Sequence, residues 1–159
     1  MIRPLSLPPP ASRLPPYASR LTPYAFRKRR EAGNQTGKGR RMPGFRFESL
    51  EIWEEAIELG SVLADIAEGL DSRKLFRYAE QLRAAGLSMS NNIAEGSGSS
   101  SDRDFRNFLN IARRSVFENA NMILFYRFRG YVDHDHSVAI LERLRALAAR
   151  ILAFSKTLH

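Results

Sequence analysis

Apolar positions in residues 81–96, QLRAAGLSMSNNIAEG, recur at helical spacing, and Leu82, Ala85, Met89 and Ile93 share one face. Beside that face Gln81, Ser88, Asn92 and Glu95 fall at steps of 7, 4 and 3, a polar seam along the same helix. Gly96 reads as its stop. The spacing predicts a helix over 73–95, and three more of similar length surround it. The first, over 50–68, carries two apolar stripes: Leu50, Trp53, Ile57, Gly60, Ala64 and Ala67, and then Ile52, Leu59, Leu63, Ile66 and Leu70. A helix in an isolated small bundle needs only one such stripe. Gly69 is expected to close it, with Asp71 or Ser72 capping the next.

Ser101 followed by Asp104 is a capping-box variant opening a third helix, which reads to Phe128. Phe105, Leu109, Ala112, Val116, Ala120 and Ile123 form its inward stripe. Residues 122–128 are apolar nearly all round apart from Arg127, a pattern normally buried against more than a helix's own bundle. Gly130 ends the helix and residues 133–136 read as a loop. The fourth helix, 137–157, is carried by Val138, Leu141, Leu144, Ala148, Ile151 and Ser155, with Leu147, Phe154 and Leu158 on a second face. Short connections make such helices antiparallel neighbours. The expectation is an all-α, up-down-up-down four-helix bundle over 45–159, and the surplus stripes on the first, third and fourth helices point to self-association.

Composition sharpens this. All eight prolines lie at or before Pro43, which leaves the body free of helix breakers. The formal charge of +8 suggests a nucleic-acid binder, but it is uneven. Residues 1–44 hold 10 Lys/Arg and one acid, whereas residues 45–159 hold 15 against 16, so the basic character belongs to a tail. That tail is expected to be disordered, since it has no apolar periodicity to offset the entropy of folding. It contains a tandem repeat, SRLPPYA at 12–18 and SRLTPYA at 19–25. It reads as an over-long extension with Met42 as the true start, or a solvated tail, against an RNA-binding arm through Arg27, Lys28, Arg29, Arg30, Lys38, Arg40 and Arg41, or a transit peptide. Cysteine is absent, which excludes a disulfide scaffold or thiolate metal site and fits a cytoplasmic location. No window approaches the roughly 18 apolar residues that span a bilayer.

Candidate chemistry is sparse. The seam at Asn92 and Glu95 offers amide and carboxylate groups to a polar ligand, but such groups also form register-fixing networks, here with Ser115 and Glu118 of the third helix, and that is the reading adopted. Gly96, Ser97 and Gly98 with the serines after them resemble a phosphate cradle. No strand precedes them, and Glu95, Asp102 and Asp104 flank them with negative charge, so a flexible interhelical turn is expected. Arg103, Arg106 and Arg113 share a face of the third helix with Arg114 at its edge, a stripe able to track phosphates. Its plainer reading is a solvated face with Asp102–Arg106 and Arg114–Glu118 pairs. His134 and His136, with Asp133 and Asp135, have the types but not the spacing of a metal site. No HExxH, nucleophile elbow or Walker sequence is present, so no enzyme, cofactor or metal is expected.

Several blocks together resemble the four helix bundle protein family, which includes proteins encoded in intervening sequences of bacterial 23S ribosomal RNA genes. They are Leu50-x-Ile52-Trp53-x-x-Ala56, Gln81-x-Arg83-x-Ala85-x-x-Ser88, Asn92-Ile93-Ala94-Glu95-Gly96, and Phe105-x-x-Phe108-Leu109-x-Ile111-Ala112-Arg113-x-Ser115-x-x-Glu118. The resemblance covers residues 45–159. It implies a left-handed antiparallel bundle, assembly into a ring, commonly a homopentamer, and no enzymatic activity. A related branch, the accessory proteins of diversity-generating retroelements, binds nucleic acid and partners a reverse transcriptase. The chain departs from the family pattern at Arg114, where a small residue is common, and at Met89, where Ile or Val is. The function expected is a non-enzymatic, self-assembling scaffold with RNA or DNA as partner; the alternative is a protein–protein adaptor such as a reverse-transcriptase accessory subunit.

Overall fold

A computed structural model describes residues 44–159; the expected tail and its repeats lie outside them. A 3-10 turn, Arg46–Ser49, leads into four α-helices: α1 (Glu51–Asp71), α2 (Phe76–Ser97), α3 (Asp102–Phe128) and α4 (His134–Ser155). Among the described residues there is no strand. Each helix packs on the next in sequence, and α4 returns to α1 through the least extensive of these contacts. The fold is therefore all-α, with the four helices enclosing one core.

Two glycines do not stop their helices. Gly69 lies inside α1 because the turn beyond it is anchored by the buried Leu70. The helix ends instead in a Schellman turn, where Leu75 N–H donates to the Leu70 carbonyl at 3.0 Å and Lys74 N–H to that of Asp71 at 2.8 Å. Lys74 occupies the left-handed position of that turn, at φ 62°. The cap of α2 is the backbone of Leu75, not the side chain of Asp71 or Ser72. Gly96 also lies within its helix, and its hydrogen atom faces α3: a Cβ there would stand 2.6 Å from both Phe105 Cδ2 and Phe108 Cβ. Gly130 does end α3, in a second Schellman turn at φ 68°.

The caps of the last two helices are side chains. Ser101 Oγ accepts from Asp104 N–H at 3.2 Å at the start of α3. Asp133 accepts from His136 N–H at 2.9 Å, so α4 begins at His134, and the expected 133–136 loop is the first turn of a helix.

The core is built from Leu59, Leu63 and Leu70 of α1, Leu82, Met89 and Ile93 of α2, Phe105, Leu109 and Ile123 of α3, and Ile140, Leu144 and Ile151 of α4. α1 packs both of its stripes, because it touches α2 on one side and α4 on the other; no large apolar residue of α1 is exposed. The exposed large apolar residues lie elsewhere, on α2 (Phe76, Tyr78, Leu87), α3 (Ile111, Phe117, Leu124, Phe125, Phe128) and α4 (Leu152). The surplus expected on the first helix thus falls on the second.

Candidate nucleic-acid interface

Three contacts fix the register of α2 against α3. Tyr126 donates its hydroxyl to the Tyr78 carbonyl at 3.1 Å, Asn119 Nδ2 donates to the Ala85 carbonyl at 2.8 Å, and the Ser88 and Ser115 hydroxyls meet at 2.9 Å. As residue numbers rise along α2 they fall along α3, so the pair runs in opposite senses. The structure brings Ser88, Asn92 and Ser115 together: Asn92 Nδ2 donates to the Ser88 carbonyl at 2.7 Å and its hydroxyl at 3.1 Å. Gln81, Glu95 and Glu118 stand exposed, outside that cluster.

The centre of the seam is Asn119, which periodicity missed. It is fully buried and also donates to the Ser115 carbonyl at 2.8 Å. Two carbonyl partners fix the amide's orientation, which leaves Oδ1 buried without a hydrogen-bond partner among the described residues. The available signal was its place four residues before the core residue Ile123 and three after Val116.

The outer stripe of α3 comes next. At about 100° per residue, positions 103, 106, 110, 113, 114, 117, 121, 124 and 128 fall within an arc of about 100°. None of them is buried. The stripe has two halves. Arg103, Arg106, Arg113 and Arg114 occupy the N-terminal half, and Phe117, Leu124 and Phe128 the C-terminal half.

Two of the four arginines have work inside the chain. Arg106 Nη1 donates to the Leu158 carbonyl at 2.9 Å, and beside it Asp102 Oδ2 accepts from His159 N–H at 3.0 Å. The Arg113 guanidinium lies over the Phe117 ring at 5.1 Å. Arg103 and Arg114 are exposed. Neither expected i,i+4 ion pair, Asp102–Arg106 or Arg114–Glu118, forms among the described residues; Asp102 and Arg106 hold His159 and Leu158 instead.

The remaining candidates are structural in geometry. Residues 98–101 form a short turn, with Gly98 and Ser99 N–H groups donating to the Glu95 and Gly96 carbonyls, each at 3.0 Å. Among the described residues no three His, Asp or Glu side chains gather as metal ligands; Asp133 is a helix cap. A surface groove of roughly 250 Å³ lies between α1 and α2, lined by Ile57, Gly60, Ser61, Ala64, Arg83, Leu87 and Ser90. Its one charged group, Arg83, pairs with Asp71. No described helix is long and apolar enough to cross a membrane.

An all-α fold of four helices around one core, with a serine–asparagine seam between α2 and α3 and a divided outer stripe on its longest helix, is the class that fold and site define. The chain belongs to the 23S rRNA-intervening sequence protein family, whose profile matches residues 48–153. No curated protein matches the chain.

Proposed function

We propose that this protein is a non-enzymatic, self-assembling scaffold that associates with nucleic acid. The four helices are read as an up-down-up-down, left-handed bundle, and copies as a ring of the homopentameric kind. The observation that carries the reading is the divided stripe of α3. Phe117 and Phe128 are 57% and 88% exposed, a large apolar area for one chain to leave in water. A neighbouring copy is the natural cover for that half. The arginine half then stays outside and is repeated by symmetry, which multiplies a weak phosphate contact into avidity.

The test is affinity for a labelled RNA as salt is raised. The full chain is expected to lose affinity steeply, and the double variant Arg103→Ala/Arg114→Ala to shallow the log–log slope by about 1.4–1.8. These two exposed residues are chosen because Arg106 also anchors Leu158. Binding indifferent to salt would remove the reading. The engagement of Arg106 and Arg113 within the chain favours a second one, a protein–protein adaptor, for which binding would survive the arginine changes and fail on Phe117→Ser.

A further inference from the structure

The groove between α1 and α2 and the apolar half of the α3 stripe lie at one level along the bundle. The contacts Ser88–Ser115 and Ala85–Asn119 set Phe117 beside residues 86 and 87 of α2. On the other side of α2, Gly86 meets Gly60, so closely that a Cβ on Gly60 would stand 3.3 Å from the Gly86 carbonyl oxygen. Phe117, Gly86 and Gly60 are therefore level, and Gly60 is mid-groove, between Ile57 and Ala64. The two features face apart. Phe117 lies about 160° round α3 from Asn119, which points at α2, whereas the groove opens between α2 and α1. Leu87, on the groove's α2 wall, is 56% exposed, much as Phe117 is.

We infer that the α1–α2 groove of one copy receives Phe117 of the next, so that copies of this chain join head to tail. The inference rests on the self-assembling reading above and names the two faces that meet. Level and charge both select the groove. Copies in a closed ring whose axis runs along the helices are related by rotation alone, so a side chain meets its neighbour at its own height. α1 carries seven carboxylates and no Lys or Arg, whereas α3 carries five arginines against three acids. Glu54, Asp65 and Glu68 share an arc of about 100° with Ile57, Ser61 and Ala64 of the groove. Asp65 and Glu68 form no ion pair among the described residues. Two stripes face to face, or two grooves, would oppose like charges; a stripe on a groove does not. Arg106 and Arg103 stand 11 and 14 residues before Phe117, and α1 begins 9 before Gly60, so both clear the neighbour's α1 and stay open to phosphate.

The chain has no cysteine, so the contact can be mapped by adding two, at the exposed Ser61 of the groove and the exposed Asn121, one turn beyond Phe117. α1 and α3 do not pack as neighbours within the chain. The full chain carrying Ser61→Cys and Asn121→Cys, treated with a short bis-maleimide, is expected to give a ladder of covalent species beyond the dimer on a denaturing gel. Either single variant is expected to stay a single chain. Ser61→Trp, which fills the groove from an exposed position, is expected to raise the dissociation constant of the assembly about tenfold or more in sedimentation, with helical circular dichroism unchanged. If Asn121→Cys alone is captured as a dimer, α3 meets α3 and the inference is overturned. If the double variant sediments as an oligomer yet gives no ladder, or Ser61→Trp assembles as the parent does, the groove is refuted and self-assembly stands. If the parent sediments as one chain, both fall.

Discussion

Replacing Gly96 with alanine sets two effects of opposite sign against each other. Inside a helix, alanine gains up to about 1 kcal/mol over glycine, and less in the last turn. Against this, the new methyl would sit 2.6 Å from Phe105 Cδ2 and from Phe108 Cβ, roughly 1 Å inside ordinary contact between carbons. Neither neighbour can yield cheaply. Phe105 is 1% exposed, packed edge-on against Phe154 at 5.7 Å with Arg46 over its face at 5.5 Å. The Phe108 contact is to Cβ, which moves only with the backbone of α3. Overpacking of this kind costs about 1–3 kcal/mol, so after the helix gain the net effect is a loss of about 1–2 kcal/mol. For a domain of this size that lowers Tm by on the order of 5–10 °C. The control is Gly69→Ala, which meets no atom within 4 Å and should stabilise by up to about 1 kcal/mol. Gly60→Ala falls between them, its methyl 3.3 Å from the Gly86 carbonyl oxygen. Urea and thermal melts of the three variants give the ranking. A Gly96→Ala protein as stable as Gly69→Ala would refute the close approach of α2 and α3 on which the register rests.

Asn119→Ala, which removes the amide bridging α3 to the Ala85 carbonyl, is expected to cost about 2 kcal/mol, while Asn92→Ala, whose bonds return to its own helix, costs below about 1; urea melts giving the reverse order would displace Asn119 from the centre of the seam. Tyr126 is a buried donor whose pKa is pushed up to about 12, by burial first and by neighbouring Tyr78 second. Folding therefore favours its neutral form, so its contribution is intact below pH 10 and is lost between pH 10 and about 12. That loss is on the order of 1–2 kcal/mol once solvent screening is allowed for, and denaturation of Tyr126→Phe over the same range should lack it. On the α1–α4 seam, Arg143 reaches Glu55 at 3.2 Å and Glu58 at 3.0 Å, so Arg143→Ala should cost about 1 kcal/mol at low salt and less at high salt. Equal cost at both would show that packing of the arginine stem, not charge, holds the seam.

Where one helix carried its own punctuation, the sequence was enough. α3 has a side-chain cap at Ser101 and a glycine at Gly130 that takes the left-handed turn, and both ends lie where the pattern puts them. Gly69 and Gly96 misled because glycine ends a helix in one setting and admits a neighbouring helix in another, and only the neighbour decides. Asn119 was hidden beside Ala120: adjacent positions differ by about 100° around a helix, and a single-helix pattern does not say which of them points inward. The second stripe of α1 looked like surplus because the sequence does not show that this helix has two partners. Of the candidate site, the arginine stripe is visible in the spacing of α3 alone. The α1–α2 groove is not, since Ile57 and Leu87 line it only once α1 packs on α2, and its level with Phe117 comes only from the α2–α3 register.

That register also separates the outside of α3 from its inside. The inward residues, from Phe105 to Tyr126, supply a buried stripe and three bonds to α2, and of the outer stripe's arginines Arg106 alone bonds to a distant part of the chain. Phe128, 88% exposed, forgoes most of the roughly 1.5–3 kcal/mol that full burial gives, and Phe117 and Leu124, at 57% and 43%, about half of it. Stability of the single chain gives no account of apolar side chains there, and solubility argues against them. The proposed assembly would account for them. The arginines on the same arc constrain what that is, because two copies laid in register along α3 would oppose like charges over half its length. In the proposed ring the apolar half of one copy would meet a different face of the next, which satisfies both. In that proposed arrangement self-assembly would persist at an ionic strength that weakens phosphate binding, since burial of apolar surface survives salt that screens the arginines.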